Sequence, residues 1–326
     1  MLTRRTLLAT AAAAAVTQAF AQSAYPDHPI RIVVGYAAGG GVDLVARLLG
    51  EPIKAALGQT VIVENRTGAS AMIASNLVAK AAPDGYTILA AASGEVAINQ
   101  HLFKEKMNYD PARELTPLAL VGIVPCVVVV AEATPVHNPK ELIAYAKANP
   151  GKLSFSSSGV GNPQQLAGEL MNFMAGTNVL HVPYRGSAPA VTDVATGAVT
   201  MSFSSLAAAL PLMDAGKIRA VAVTSKERMP QLPNVAPLSE GAPGLADYEL
   251  LNWFGLFITA GTPQPIVDKL NGVINAALQD KTIVDKLLPQ GIVPKPMSPA
   301  DYKKFVESET AKFGKIVQQA NIKLAE

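Results

Sequence analysis

In the first part of the chain, apolar segments typical of strands alternate with segments whose apolar residues recur at helical spacing. Residues 30–34 are β-branched and almost wholly apolar, which is typical of a buried strand. Three glycines follow at residues 39–41, and apolar positions at helical spacing then predict a helix over residues 43–57. Pro52 lies inside that helical pattern, so we expect the helix to be kinked or split near Gly50.

The same alternation continues to about residue 100. Strand patterns at residues 61–64 and 86–91 are separated by a helical pattern over residues 73–81, and a further helix follows Ser93-Gly94. Strands and helices therefore alternate three times. This order predicts a mostly parallel sheet with helices on both faces.

Residues 118–130 form an apolar stretch that is long for a single strand, and we expect the chain to cross from one domain into another there. Beyond it the opening pattern recurs, because strands at residues 153–156 and 199–205 each lead into a helix. The remaining predicted elements are helices at residues 139–148, 164–175, 265–279 and 299–320 and strands at residues 218–224 and 253–259.

Small-residue turns from strand to helix occur four times, at residues 39–41, 93–94, 156–162 and 204–205. A helix that starts at such a turn has unpaired backbone N–H groups and a partial positive charge at its N-terminus. A single turn of this kind is explained by a tight connection with Asp43 as the N-cap. Four such turns, two in each half, favour a binding site for a small anion in a cleft.

Two phosphate-binding motifs are absent from the glycine loop. A P-loop needs Lys and then Ser or Thr after its last glycine, where this chain has Val42-Asp43. The dinucleotide fingerprint needs a glycine where Leu44 stands. The loop therefore predicts neither kind of nucleotide site.

Catalytic and metal sites are not predicted either. The four histidines form no i, i+4 pair, so no metal and no cofactor is expected. The serines at residues 156–158 have no evident base beside them, and helix capping or ligand hydrogen bonding explains them better. His181 is expected to be a packed residue at a strand end, while Arg185 suits a carboxylate partner and a solvated turn equally well.

The first 21 residues read as a signal peptide, with Arg4 and Arg5, an apolar run over residues 7–16 and an Ala-x-Ala site at residues 19–21. We expect a mature protein that starts near Gln22 and lies free in the periplasm; Sec and twin-arginine export both stay open. No cysteine near the cleavage site offers a lipid anchor.

The charge and the cysteine content exclude some classes of partner and of covalent cross-link. The chain has 27 basic and 25 acidic residues, so removal of Arg4 and Arg5 leaves 25 of each. A neutral protein is not expected to bind nucleic acid. Cys126 is alone, which excludes an internal disulfide, and the length predicts two domains.

Several stretches, in order along nearly the whole mature chain, match one family. They are Tyr25-Pro26, Ala38 to Asp43 with Ala46-Arg47, Glu64-Asn65-Arg66, Pro83-Asp84-Gly85-Tyr86-Thr87, Ala148-Asn149-Pro150-Gly151, Leu166-Ala167-Gly168-Glu169-Leu170, His181-Val182-Pro183-Tyr184-Arg185-Gly186, Ala215-Gly216-Lys217, Trp253-Phe254-Gly255 and Ala260-Gly261-Thr262-Pro263. The chain thereby resembles the extracytoplasmic receptors of tripartite tricarboxylate transporters, the Bug family of Gram-negative bacteria.

The resemblance implies an α/β fold of the periplasmic-binding-protein type II class, a two-domain clamshell with a hinge of crossing strands. Residues 22–124 with 228–326 are expected to form domain I, and residues 125–227 domain II. In the family, the loops that match residues 37–41 and 156–162 hold one carboxylate through backbone amides, hydroxyls and ordered water.

The chain departs from the family pattern around the inferred pocket. Gly35-Tyr36 replace a usual Pro-Phe, and the Tyr36 hydroxyl is expected to make the pocket more polar. Asn162-Pro163 and Gln165 replace Thr, Ser and His, and Thr67 and Ser70 replace Pro and Gly, so no particular substrate is transferred. The candidate ligand-binding residues are Tyr36, Ala38, Gly39, Gly40, Gly41, Asp43, Ser70, Ser93, Ser156, Ser158, Gly159, Asn162, Gln165, Tyr184 and Ser204.

The function that the sequence favours is a non-enzymatic periplasmic receptor that delivers a small carboxylate, or a related polar or aromatic acid or amide, to a membrane permease. The partners expected are that ligand and the permease subunits of a tripartite tricarboxylate transporter, and the receptor itself is expected to be a monomer. A periplasmic sensor that docks on a histidine kinase is the alternative, since the same fold serves both.

Overall fold

The computed structural model describes residues 25–322, so the predicted signal peptide lies outside the described residues. Within them, ten strands form one continuous mixed sheet. The strands are β1 (Ile30–Val34), β2 (Val61–Asn65), β3 (Thr87–Ala92), β4 (Leu115–Ala131), β5 (Ser154–Ser157), β6 (Leu180–Pro183), β7 (Met201–Ser205), β8 (Ile218–Val223), β9 (Leu251–Thr259) and β10 (Val293–Pro294).

Helices of one to six turns connect the strands of the described chain. They are α1 (Gly41–Leu57), α2 (Met72–Ala79), α3 (Asn99–Leu102), α4 (Pro111–Glu114), α5 (Pro139–Ala148), α6 (Pro163–Ala175), α7 (Ser187–Ala195), α8 (Leu206–Asp214), α9 (Gln264–Gln279), α10 (Lys281–Leu287) and α11 (Pro299–Gln319). Short helical turns occupy Ala69–Ala71, Lys104–Lys106, Leu238–Glu240, Pro243–Leu245 and Leu288–Gln290, and a π-helical turn occupies Gly94–Ile98. Across residues 25–322 no helix is both long and apolar enough to cross a membrane.

The sheet consists of two parallel sets joined by antiparallel strands. Its order is β2-β1-β3-β9-β4-β7-β5-β6, with β8 and β10 also paired to β4. In the first set β2, β1 and β3 are parallel, and in the second set β7, β5 and β6 are parallel. Strand β9 runs antiparallel to both β3 and β4, so it extends the first set to the crossing strand.

The long apolar stretch is one strand, β4, which pairs in both halves of the molecule. Its first part, up to Pro125, pairs with β9, and its second part, from Cys126, pairs with β7 and β8. The chain returns beside it, because the Thr224 N–H group donates to the Cys126 carbonyl oxygen at 2.9 Å and the Thr224 hydroxyl accepts from the Cys126 N–H group at 2.8 Å. The predicted crossing strand is present; the division at residues 124 and 227 stays a prediction.

Helix α1 shows how the first loop is anchored. Its buried residues include Val45, Leu49 and Ile53, which pack against the face of the sheet formed by β1 and β3. Each such side chain contributes roughly 1.5–3 kcal/mol of burial free energy. Of the predicted kink or split near Gly50, the split is wrong, because α1 is one helix through Gly50 and Pro52. Proline removes a single N–H group, and the burial on both sides outweighs that loss.

A pair of fully buried tyrosines offers a test of this packing. Tyr302 on α11 lies against Trp253 and Phe257, and its hydroxyl has no hydrogen-bond partner among the described residues. Tyr248 is equally buried, but its hydroxyl donates to the Ala167 carbonyl oxygen at 2.9 Å. An unpaired buried hydroxyl destabilises a fold, whereas a paired one does not.

We therefore expect Tyr302→Phe to raise the free energy of unfolding by about 1 kcal/mol and Tyr248→Phe to lower it by about the same amount. Urea denaturation at equilibrium measures both values under one set of conditions. A loss of stability in Tyr302→Phe would contradict the packing described for this hydroxyl.

Candidate functional site

The two halves of the molecule are the part that contains the parallel set β2-β1-β3 and the part that contains the parallel set β7-β5-β6. The loop between β1 and α1, in the first half, contacts the second half across a cleft. The Ala37 N–H group donates to the Arg185 carbonyl oxygen at 3.0 Å. Gly186 has a φ of 150°, and a Cβ atom there would lie 3.0 Å from the Ala37 nitrogen, so this approach needs glycine. Likewise, a Cβ atom on Gly94 would lie 3.1 Å from the Gly161 carbonyl oxygen. The halves are therefore in direct contact at two places.

An inner cavity of about 20 Å³ lies between these contacts. Helices begin at its wall from both halves: α1 at Gly41, α6 at Pro163, α7 at Ser187 and α8 directly after Ser205. The first turn of each helix has unpaired N–H groups and the positive end of the helix dipole, so the wall suits a small anion. The other lining residues are Tyr36, Gly40, Val42, Ala92, Ser158, Gln164, Asn252 and Phe254.

Ser205 has the clearest unmet hydrogen-bonding capacity in this wall. The residue is buried, and its hydroxyl has no hydrogen-bond partner among the described residues. Buried polar groups in proteins almost always have a partner. The Ser205 hydroxyl is therefore available to whatever occupies the inner cavity.

An outer cavity of about 260 Å³ adjoins the inner one, and Tyr36 and Ser158 line both. Arg185 is the one charged residue among its described lining, and this exposed side chain forms no ion pair with a described residue. The other lining residues are Gly35, Gly68, Ala69, Ser70, Ala71, Gly159, Val160, Pro183 and Tyr184. The larger volume and mixed lining suit the remainder of a ligand whose anionic end lies inside.

Asp43 holds the glycine loop in place from behind. Its carboxylate accepts hydrogen bonds from the Gly39 N–H group at 3.0 Å, from Arg47 at 2.9 Å and from Asn65 at 2.9 Å. Asn65 also donates to the Tyr36 carbonyl oxygen at 3.0 Å. Burial acts to raise the pKa of Asp43, but the hydrogen bonds from Arg47, Asn65 and Gly39 outweigh it and lower the pKa below its ordinary value. The group is an ionised support for the loop.

The loop before α6 is held by its own amide side chains. The Asn162 side-chain oxygen caps α6 by accepting from the N–H groups of Gln164 and Gln165, and its amide donates to the Ser158 hydroxyl at 2.8 Å. The side-chain oxygens of Gln164 and Gln165 in turn accept from the N–H groups of Ser158 and Gly161. The departures from the family pattern at residues 162 and 165 thus serve the loop itself.

The predicted site residues divide into three groups. Tyr36, Gly40, Gly41 and Ser158 line the inner cavity, and Tyr36, Ser70, Ser158, Gly159 and Tyr184 line the outer one. The others line neither cavity: Ala38 and Gly39 are exposed at the tip of the glycine loop, and Asp43, Ser93, Ser156, Asn162, Gln165 and Ser204 are buried behind the walls.

Strand alternation explains several of the residues that lie behind the walls. Successive side chains of a strand point to opposite faces. Ser156 is fully buried and donates to the Ala190 carbonyl oxygen at 3.1 Å, and the Ser204 hydroxyl contacts the Ser205 carbonyl oxygen at 3.2 Å. Ser93 donates to the Asn252 side chain at 3.1 Å. Each hydroxyl is thus already used inside the protein.

Eight residues of the inner-cavity lining are not among the candidates from the sequence, and four of them supply a polar or aromatic side chain from an element whose position only the fold determines. Ser205 is the next residue after a chosen serine, and only its position as the last residue before α8 distinguishes it. Ser187 follows a glycine at the start of a helix that the apolar pattern does not predict. Asn252 and Phe254 come from a strand remote in sequence, so only the pairing of β9 brings them to the cavity.

A buried acid lies directly behind the inner wall. The Tyr36 hydroxyl donates to one Glu95 carboxylate oxygen at 2.6 Å, and the Ala92 N–H group donates to the other at 3.0 Å. Burial raises the pKa of Glu95 to about 7, although the hydrogen bond from Tyr36 acts in the opposite direction. The expected polar tyrosine is therefore present, but its hydroxyl points to this acid.

His181 behaves as the packed residue that the sequence predicts. It stacks on Phe155, and burial lowers its pKa to about 4, so the ring is neutral. Its Nε2 atom lies 2.7 Å from the Ser157 hydroxyl, but that hydroxyl also contacts the Gly159 carbonyl oxygen at 2.9 Å. A carbonyl oxygen only accepts, so both contacts are satisfied when the hydroxyl donates to Gly159 and the Nε2–H tautomer of His181 donates to the hydroxyl. Across residues 25–322 no group of three His, Cys, Asp or Glu side chains is placed to hold a metal ion.

Known proteins share both the sequence and the fold. The profile of the tripartite tricarboxylate transporter family receptors matches residues 45–322. The protein BugT of Bordetella pertussis is 33% identical over 97% of this chain and 96% of its own length. The Rhodopseudomonas palustris protein Rpa4515, solved with adipate, superposes with a TM-score of 0.88 at 35% identity, covering 92% of this chain and 99% of that chain.

A further solved structure has the same fold. MatC from Rhodopseudomonas palustris, with bound malate, has a TM-score of 0.84 at 30% identity and covers 90% of this chain and 100% of that chain. The periplasmic-binding-protein fold predicted from the sequence is confirmed by these matches. The family and its structural neighbours are binding proteins and not enzymes. The chain therefore belongs to the Bug-type receptors of the tripartite tricarboxylate transporter family.

Proposed function

We propose that this protein is an exported periplasmic receptor that captures a small carboxylate between its halves and delivers it to a tripartite tricarboxylate transporter permease. The observation that carries the proposal is the inner cavity, where helices from both halves begin around the unpartnered Ser205 hydroxyl. An anion there contacts both halves at once, and contacts made only in the closed form favour closure. Relatives solved with adipate and with malate support a carboxylate as the ligand.

The ligand is held in two parts. We assign its carboxylate to the inner cavity, where the N–H groups near Gly40 and Gly41 and the side chains of Ser158 and Ser205 surround it. The rest of the ligand extends into the outer cavity, beside Ser70 and the Tyr184 ring. Asn162 and Gln165, in the loop before α6, act through hydrogen bonds that hold the conformation of that loop.

The ligand class is tested by a thermal-shift screen of adipate, malate, other mono-, di- and tricarboxylates, aromatic acids and amides, followed by calorimetry on the hits. A carboxylate recovered unchanged after long incubation is expected. If no carboxylate binds, or if amides bind better than the matching acids, the proposal of an anion site is wrong.

Delivery and location need separate tests. We expect the mature chain, from near Gln22, to be a monomer in periplasmic extract, as mass spectrometry and light scattering would report. Uptake of the identified ligand by cells should require both this receptor and its permease. Normal uptake in cells that lack the receptor would contradict delivery while leaving ligand binding intact.

Neighbouring serines at the start of α8 provide a matched pair of variants. Ser205→Ala should weaken carboxylate binding about tenfold, because a hydrogen bond to a charged group contributes roughly 1.5–3 kcal/mol. Ser204→Ala should change binding less than about twofold, because that hydroxyl does not line the cavity. Calorimetry with the best carboxylate of the screen measures both affinities.

The same pair separates a binding role from a structural one. Because the Ser205 hydroxyl is buried and unpaired, Ser205→Ala should keep or raise the stability of the ligand-free protein while it weakens binding. Equal binding losses in the two variants, or a large loss of stability in Ser205→Ala, would remove Ser205 from the site.

Gly40→Val and Arg185→Ala test whether the helix N-termini or the arginine holds the charge. Gly40 has a φ of −86°, and a Cβ atom there meets only the Ala37 carbonyl oxygen, at 3.7 Å, so valine fits the backbone. Its side chain should fill the inner cavity and weaken binding by more than about a hundredfold. Arg185→Ala should weaken binding less, by about tenfold or below, because this arginine is exposed to solvent.

Calorimetry with the same carboxylate compares these two variants, and Asn162→Ala serves as a loop control with an intermediate loss. If Arg185→Ala abolishes binding while Gly40→Val leaves it intact, the site is an arginine clamp and the assignment to helix N-termini is wrong.

A further inference from the structure

Glu95 is a fully buried acid, and each of its two carboxylate oxygens accepts a hydrogen bond from a residue that lines the inner cavity. One oxygen accepts from the Tyr36 hydroxyl at 2.6 Å and the other from the Ala92 N–H group at 3.0 Å. Both Tyr36 and Ala92 line the cavity. The carboxylate is therefore separated from the cavity by a single layer of residues on each side.

The groups that face Glu95 provide no positive charge. The titratable groups that interact with it are Tyr36 from the β1–α1 loop, Tyr109 from the segment before α4 and Tyr302 from α11. Burial, with the Glu95 charge, raises the pKa of Tyr36 and of Tyr302 well above the ordinary value, so these phenols are neutral. Among the described residues no lysine, arginine or histidine forms an ion pair with Glu95. A buried carboxylate without a cation gains a proton readily.

Asp43 shows the contrast within the same loop. Its carboxylate is also buried but is paired with Arg47, which holds it ionised behind α1. Glu95 has only neutral donors, and burial raises its pKa to about 7. Of the two acids that support the cavity wall, only Glu95 changes its charge near neutral pH.

An anion in the inner cavity and an ionised Glu95 repel each other. They lie on opposite sides of the wall formed by Tyr36 and Ala92, which are buried as Glu95 is, and charges interact more strongly at buried positions than in bulk water. On the proposed function, which this inference requires, the arriving ligand carboxylate favours the neutral form of Glu95. We propose that carboxylate capture by this receptor is coupled to proton uptake by Glu95, so that binding tightens as the pH falls.

The sign and size of the coupling follow from linkage. The proton comes from solvent and rests on a Glu95 carboxylate oxygen, while the ligand binds as its anion. At an effective dielectric constant of about 20, a ligand charge on the far side of the Tyr36 and Ala92 wall should raise the pKa of Glu95 by about one unit. Affinity for a fully ionised carboxylate should therefore fall about tenfold between pH 6 and pH 9, with most of the change between the two pKa values.

The coupling is measured by calorimetry with malate and adipate, or with the best carboxylate of the screen, at pH 7.5 in buffers of different ionisation heat. The wild type should take up a substantial fraction of one proton per ligand, and its affinity should vary with pH as stated. Glu95→Gln should bind without proton uptake and with an affinity that is nearly constant from pH 6 to pH 9. Glu309→Gln is the matched control, since burial raises the pKa of Glu309 also but it lies on α11 outside the cavity walls.

A ligand-free measurement tests Glu95 by itself. Since its pKa is higher in the folded than in the unfolded chain, the folded state holds the extra proton, and the stability from this group is lost as the pH rises through about 7. Chemical denaturation should therefore show wild type losing stability relative to Glu95→Gln between pH 5 and pH 8.

The outcomes separate this inference from the proposed function. Carboxylate binding without proton uptake, or with the same uptake in Glu95→Gln, overturns the coupling and leaves the receptor function standing. A stability difference that does not change with pH also overturns it, because Glu95 then does not titrate. If no carboxylate binds, the proposed function fails and the coupling fails with it.

Discussion

The pairing of β4 with strands of both halves is the constraint on which the site depends. Residues 115–125 of this strand hydrogen-bond to β9, and residues 126–131 hydrogen-bond to β7 and β8. One rigid strand thus fixes the two parallel sets relative to each other. The ends of their strands then face one cleft, and α1 from the first set begins opposite α6, α7 and α8 from the second. A break in β4 would separate the helix N-termini that line the inner cavity.

No unbalanced charged side chain in the cleft cancels the partial positive charge at the helix N-termini. An acid at the start of α1 would by itself cancel the positive end of that helix. Arg47 balances Asp43 at 2.9 Å, so the pair supports the loop and leaves the N–H groups of the helix effective toward a ligand. Arg185 is left at the exposed side of the outer cavity. The proposed recognition of a carboxylate in the inner cavity therefore rests on backbone N–H groups and hydroxyls.

Much of this fold could be predicted from local patterns, because each buried strand and amphipathic helix carries its own period. The strand at residues 30–34, the glycine loop and the terminal helices were of this kind. The helix at Ser187–Ala195 was not predicted, since small residues and a proline in its first turn hide the apolar spacing. The choice between Ser204 and Ser205 depends on which face of β7 meets the cavity, and only the packed sheet determines that.

No local sequence pattern predicts the burial of Glu95, and the reason is physical. In sequence it is a single acid among apolar residues after a turn, and nothing there distinguishes a buried side chain from a solvated one. Its environment comes from the β1–α1 loop, from the segment before α4 and from α11, which are remote from one another along the chain. Tyr36 supplies the hydroxyl that donates to one oxygen of this acid at 2.6 Å. The two residues therefore make sense only as a pair, and together they form a polar support that a phenylalanine at residue 36 would leave unsatisfied.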